Sequence, residues 1–187
     1  MTTTRSLTDD ARDLPREPTA PWILVLVAGL VVVWLAVLAW QVAVLPDRVP
    51  THFDSAGRAD GWSSRAGALA SSLLLPLVIA LPLPLLSRLA LLWPAAISAP
   101  NRDWWTATAP RLRRFERLLR EDLWLIAASM IGALIGVQVA ITDAAVAGAD
   151  SLPSAYSRGP LIVAAVGMGL VLVRVLGGRY AAQPDLA

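Results

Sequence analysis

The side chains best suited to chemistry lie close together. His52, the single histidine of the 187-residue chain, stands near Asp54 and Asp60 in the segment Leu45-Pro46-Asp47-Arg48-Val49-Pro50-Thr51-His52-Phe53-Asp54-Ser55-Ala56-Gly57-Arg58-Ala59-Asp60-Gly61-Trp62. An imidazole with carboxylates can ligate zinc or manganese, or move a proton as a general acid or base. Against a metal, His52-x-Asp54 is a short spacing and no second histidine exists. Against catalysis, no nucleophile accompanies His52 in a recognisable arrangement. Cysteine is absent, which removes thiolate catalysis, disulfides and Cys-type zinc or iron–sulfur sites. Lysine is absent too, so there is no Schiff-base chemistry.

The remaining reading is structural. Aspartates cap turns, Arg48 or Arg58 pairs with an aspartate, and His52 bonds a backbone carbonyl. Pro46 and Pro50 favour extended backbone. Asp54-Ser55-Ala56-Gly57 suits a turn ending in glycine, and Asp60-Gly61 suits a second turn. Trp62 can sit at the headgroup level, and Ser63 or Ser64 can cap the helix that follows. The chain is therefore expected to be no enzyme and to hold no metal or cofactor. Pro46, Pro50, His52, Phe53, Asp54, Gly57, Asp60 and Trp62 are the candidate residues of an ordered recognition or structural motif.

The elements around this segment are those of a membrane protein. Residues are 56% hydrophobic and only 16% charged, with a mean hydropathy of +0.59, well beyond a soluble domain's composition. Four apolar runs are long enough to cross a bilayer as helices: 21–45, 66–87, 123–147 and 160–177. The first is too long for a signal-peptide core and no small-residue cleavage site follows it closely. Trp22 and Trp40 near its ends suit the two interfaces. Pro76, Pro82 and Pro84 should kink the second run, with neighbouring helices covering the carbonyls they free. Gly132 and Gly136 in the third run have a spacing that permits close helix contact. Arg88, Asp143 and Arg174 fall near run ends; Gln41, Gln138 and a few Ser and Thr are the polar groups inside. That is little equipment for transport.

Between the second and third runs, Leu112, Phe115, Leu119 and Leu123 share one face of a helix rich in arginine on the other, with Glu116 and Arg120 an i,i+4 pair. Such a helix is expected to lie on the membrane surface against anionic lipid. Residues 89–99 should also lie along the interface, with Trp104 and Trp105 as interfacial anchors. The division expected is a disordered cytoplasmic tail over 1–20, a transmembrane hairpin over 21–98 with an outer loop at 46–65, a cytoplasmic Arg-rich segment over 99–122, a second transmembrane hairpin over 123–178 and a cytoplasmic tail over 179–187. Twelve arginines fall on the side of the tails and middle segment, four on the other. The positive-inside rule then puts both termini in the cytoplasm and the His52 loop outside. This distribution, not the net charge of +2, decides against a nucleic-acid partner.

The pattern Leu-Pro-Asp-x-Val-Pro-Thr-His-Phe-Asp-x-x-Gly-x-x-Asp-Gly-Trp after a first membrane run resembles the bacterial membrane module known as domain of unknown function 1648 (DUF1648). That module also stands at the N-terminus of SdpI-type immunity proteins. The likeness covers roughly residues 25–80. Pro100-Asn101-Arg102-Asp103-Trp104-Trp105 is similar to a segment that follows the second helix in small relatives. The resemblance implies toxin immunity and signalling across the membrane for SdpI-type proteins. Their Gly-x-Arg-x-x-x-Thr stretch does not occur after Leu123. The expectation is an all-α, integral membrane four-helix bundle of the bacterial plasma membrane, with an ordered extracytoplasmic loop and a cytoplasmic interfacial amphipathic helix. Its partners would be the lipid bilayer, a peptide or membrane protein met by the outer loop, and a second copy in a homo-oligomer. The function expected is a non-enzymatic accessory, immunity or sensing protein; a small transporter or channel subunit is the alternative.

Overall fold

The computed structural model describes residues 6–152 and 154–186; residues 1–5 of the predicted N-terminal tail (Arg5 among them), Pro153 of the predicted second outer loop and Ala187 of the C-terminal tail fall outside it. Four helical segments are long and apolar enough to cross a membrane: Pro21–Val44, Arg65–Leu92, Ala109–Ala147 and Arg158–Arg179. The chain is thus an all-α multi-pass membrane protein, with one two-stranded sheet added. In order come α1 (Leu7–Asp13), α2 (Pro21–Val44), β1 (Arg48–Phe53), β2 (Ala59–Ser64), α3 (Arg65–Leu75), α4 (Leu89–Leu92), α5 (Arg102–Trp105), α6 (Ala109–Ala147) and α7 (Ser154–Arg174).

The second span bends as its prolines require. Between α3 and α4 the helix widens into a π turn at Pro76–Ala80 and tightens into a 3-10 stretch at Leu83–Arg88. Pro76 has no N–H for the Ser72 carbonyl one turn earlier. Trp34 Nε1 and Gln138 Nε2, from two other spans, both donate to that oxygen at 2.9 Å. Gln41 Nε2 donates to Thr142 Oγ1 at 2.9 Å, and Thr142 Oγ1 to the Gln138 carbonyl at 2.7 Å. The polar side chains inside the spans thereby hold three helices together where no water is available. Trp34 is a buried donor in this set, unlike Trp22, which is exposed near its helix end.

α6 is the axis of the bundle, packing against α2, α7 and the second span. Against α7 the small residues make the approach close, as their spacing suggested. A Cβ on Gly136 would lie 3.1 Å from Pro160 Cγ, and one on Gly132 would lie 3.2 Å from Val163 Cγ1.

Several expectations are corrected. α6 runs unbroken for 39 residues, about 58 Å at 1.5 Å per residue, nearly twice a ~30 Å bilayer core. The Arg-rich stretch is its first turns, not a separate interfacial helix, and the predicted boundary at 122/123 falls inside it. The 1–20 tail is structured where described: Ser6 caps α1, and Ala11 packs against Leu91 and Leu112. The predicted 179–187 tail is also docked where described, with Tyr180 buried against Phe115 and Trp105. The second span continues to Leu92, so residues 89–92 do not lie along the interface. α7 begins at Ser154 with Pro160 inside it, so the loop predicted over 148–159 is shorter. Trp105 is no interfacial anchor: it is fully buried, and its Nε1 donates to the Tyr180 carbonyl at 3.0 Å. Asn101, left-handed at φ 57°, donates to the same oxygen at 3.1 Å.

The reason α6 cannot lie flat is electrostatic. Glu116, Arg120, Glu121 and Asp122 are all buried. Arg120 Nη1 donates to both Glu116 oxygens at 2.6 and 2.8 Å, and Ser87 Oγ of the second span adds a bond at 3.0 Å. Arg120 also reaches the Glu17 carbonyl and Thr19 Oγ1 of the N-terminal segment. Arg179 pairs with Glu121 at 2.6 Å and with Asp122 at 2.9 Å. Arg114 pairs with Glu17 at 2.6 Å and Asp185 at 3.3 Å. The helical i,i+4 pair read from the sequence exists, but it is the centre of a buried network rather than a surface contact.

Replacing Arg120 with Ala should destabilise the protein by about 3–5 kcal/mol, because Glu116 stays buried without its partner; unfolding in mixed micelles measures this. Gln138→Leu should cost about 1 kcal/mol through the lost bond to Ser72. In a Pro76→Ala background, where the helix can satisfy that carbonyl itself, the cost should shrink toward zero in a double-mutant cycle.

Candidate functional site

At the end of the bundle opposite the charged network, residues 46–65 form an antiparallel β hairpin rather than a loop of turns. Thr51, His52 and Phe53 prefer extended backbone, and Pro50 fits a short sheet with free edges. Leu45, Val49 and the first residues of α3 make a small core with Ala145 of α6, so the hairpin is seated on the helices. Ser64 caps α3 by accepting from the Gly67 amide at 3.1 Å, and Arg65 donates to the Asp47 and Val42 carbonyls.

The tip closes as the sequence suggested. Gly57, left-handed at φ 78°, donates its amide to the Asp54 carbonyl at 2.9 Å. The Asp54 carboxylate accepts from the Ala56 and Arg58 amides at 2.9 and 2.8 Å and lies 3.3 Å from Arg58 Nε. The Arg58 amide bond, helped by the Ala56 amide and the guanidinium, holds the Asp54 carboxyl below its ordinary value. Asp60-Gly61 is not a second turn; both residues lie in β2. Gly61 is there because the strands approach closely: a Cβ would stand 2.7 Å from His52 Cβ.

Register irregularities on either side of His52 act as bulges that re-aim side chains. They bring His52 and Asp60 together on the exposed face. His52 Nδ1 lies 2.5 Å from Asp60 Oδ1, with the imidazole three-quarters exposed. His52 therefore bonds a carboxylate and not the backbone carbonyl expected. Nearby, the Arg48 guanidinium stacks over the Trp62 ring at 4.5 Å, a cation–π contact. Pro50, opposite Trp62, is buried, whereas Pro46 is exposed and Phe53 half-buried. Among the described residues no three His, Asp or Glu side chains gather as metal ligands.

Two features escaped the sequence reading. The hairpin tip is joined to the connection between α6 and α7: Leu152 donates to the Gly57 carbonyl and Ala59 to the Asp150 carbonyl, each at 2.8 Å. Nothing in the local sequence of residues 148–152 signals this pairing. Beneath the hairpin lies a cavity of about 250 Å³, walled mainly by apolar side chains such as Leu75, Leu134 and Ile141, with Ser71, Ser72 and Gln138 among its polar groups. Gln138 Oε1 is buried without a hydrogen-bond partner. A larger recess of about 440 Å³ at the other end is walled mainly by apolar side chains such as Leu86, Trp93 and Leu119 and offers little polar chemistry.

The Asp54 turn makes the hairpin acid-sensitive. A carboxyl whose folded value is depressed stabilises the turn fully above its unfolded value and loses that contribution as pH falls through the folded one. Protection of the Ala56 and Arg58 amides, relative to free-chain exchange at the same pH, should thus hold down to about pH 3.8, the ordinary value, and fall only below it. Asp54→Asn should raise exchange already at neutral pH.

No curated protein and no solved structure matches the chain. A family model does, over α2, the hairpin, α3 and the π turn. Residues 23–80 are a Domain of unknown function (DUF1648) domain.

Proposed function

We propose that this is a non-enzymatic accessory, immunity or sensing protein of the bacterial plasma membrane, whose hairpin recognises a peptide or envelope partner outside the cell. The observation that carries the reading is the rigid presentation of exposed polar and aromatic groups. His52, Asp60, Arg48 and Trp62 stand on a hairpin seated on the helices at its base and joined to a second connection at its tip. A pre-ordered surface of this kind binds without the entropy cost of ordering a loop. Imidazole, carboxylate, guanidinium and indole together suit a peptide with both charged and apolar groups. The DUF1648 domain supports a shared membrane architecture and leaves the partner open. Arg114, Arg117 and Arg120 of α6 are engaged by carboxylates, which argues against a nucleic-acid partner.

In this orientation both termini lie in the cytoplasm. The chain has no cysteine, so Ala56→Cys and Arg102→Cys, both exposed positions, can be labelled singly in intact cells. A membrane-impermeant maleimide should reach Ala56→Cys and not Arg102→Cys; labelling of both would overturn the orientation.

The cavity reaching Ser72 and Gln138 favours a second reading, a small transporter or channel subunit. The two readings separate on His52→Ala. This variant should accumulate and unfold like the wild type, yet lose crosslinks formed from a photoreactive residue at Ser55 to an envelope protein or peptide. Crosslinking unchanged by His52→Ala would sink the recognition role. Solute uptake into proteoliposomes abolished by Ser71→Leu would favour the second.

A further inference from the structure

At the end opposite the hairpin, a cavity of about 260 Å³ is lined by Arg12, Arg16, Arg88 and Arg113, with Glu116 at its inner wall. These arginines come from α1, the segment after it, the second span and α6, so the fold assembles them from four places. Glu116 does not neutralise them, since both its oxygens are bound by Arg120 and one also by Ser87. Arg113 is 3.9 Å from Glu116 and donates to the Pro15 carbonyl at 3.2 Å. Arg12 is held by Asp9 at 2.6 Å. Neither Arg16 nor Arg88 has an ion-pair partner among the described residues, and both are exposed.

Four guanidinium groups around one recess repel one another unless an anion joins them. Their forked donors match the oxygens of a phosphate group. The remaining lining is Leu91 and Leu92, the last residues of the second span, with Leu92 exposed. The recess therefore opens where the second span ends. We propose that it binds a phosphate-bearing anion, with the phosphate among Arg12, Arg16, Arg88 and Arg113. Of the α6 arginines that the sequence assigned to lipid, Arg113 lines this recess, whereas Arg114, Arg117 and Arg120 are paired internally. The recess is independent of the hairpin.

Native mass spectrometry of the full-length protein in a neutral detergent tests the proposal with three probes: short-chain phosphatidylglycerol, short-chain phosphatidylcholine and inorganic phosphate. Phosphatidylglycerol should bind, and Arg16→Gln/Arg88→Gln should weaken it by at least about tenfold, as expected from losing two surface cations. Arg102→Gln, an exposed arginine outside the recess, should leave binding unchanged. If the double variant fails to accumulate, Arg88→Gln alone should still weaken binding severalfold. Competition by inorganic phosphate at similar concentration would identify the ligand as free phosphate; its failure to compete would identify a lipid headgroup. Equal binding of phosphatidylcholine and phosphatidylglycerol, no change in the Arg16 and Arg88 variants, or an equal loss in Arg102→Gln would overturn the site.

Discussion

Glu116 and Arg120 face each other inside the protein, one turn apart on α6, each almost wholly shielded from solvent. Taking two charges out of water is costly, and their attraction offsets that only with good geometry and further hydrogen bonds. Here one guanidinium nitrogen reaches both carboxylate oxygens, and the further bonds come from elsewhere: Ser87 from the second span, the Glu17 carbonyl and Thr19 from the N-terminal segment. The neighbouring carboxylates Glu121 and Asp122 extend the requirement to Arg174, Arg179 and Tyr180. Spans two, three and four and both polar ends of the chain thus share one set of charges.

The other end obeys a different constraint, the satisfaction of backbone groups. Pro76 frees a carbonyl within the membrane, and a tryptophan and a glutamine from two other spans take it up. The hairpin then uses the ends of α2 and α3 as its base and the α6–α7 connection as its brace. The two constraints meet on α6, which carries the buried charges in its first third and Gln138 and Thr142 near its other end.

Length and apolarity alone revealed the four spans, and the three prolines revealed the distortion of the second. The Asp54–Gly57 turn and the Ser64 cap were legible because their chemistry is local. The buried network was not, because each partner sits in a stretch that by itself resembles a solvated tail: Glu17 before the first span, Arg179 and Asp185 after the last. Arginines opposite leucines on one helix read as a surface face; only the tertiary fold supplies the carboxylates that turn them inward. The hairpin was half legible. Asp60-Gly61 carries turn chemistry, yet the same glycine serves a close crossing of strands, and the pairing of His52 with Asp60 depends on bulges that no spacing rule predicts.

The sharing of Glu121 and Asp122 with Arg179 also imposes an order on biosynthesis. The acidic pair is made when α6 is translated, but its arginine emerges more than fifty residues later, after α7. Until then Glu121 has Arg117 of its own helix and Asp122 has Arg174 of α7, and with the contact from the N-terminal segment these close only part of the ring. A ribosome that stops before Arg179 leaves a chain with all its apolar runs and an unfinished polar centre. Completion of the bundle thus waits on the segment that follows α7, whose Arg179 neutralises charges laid down near the middle of the chain.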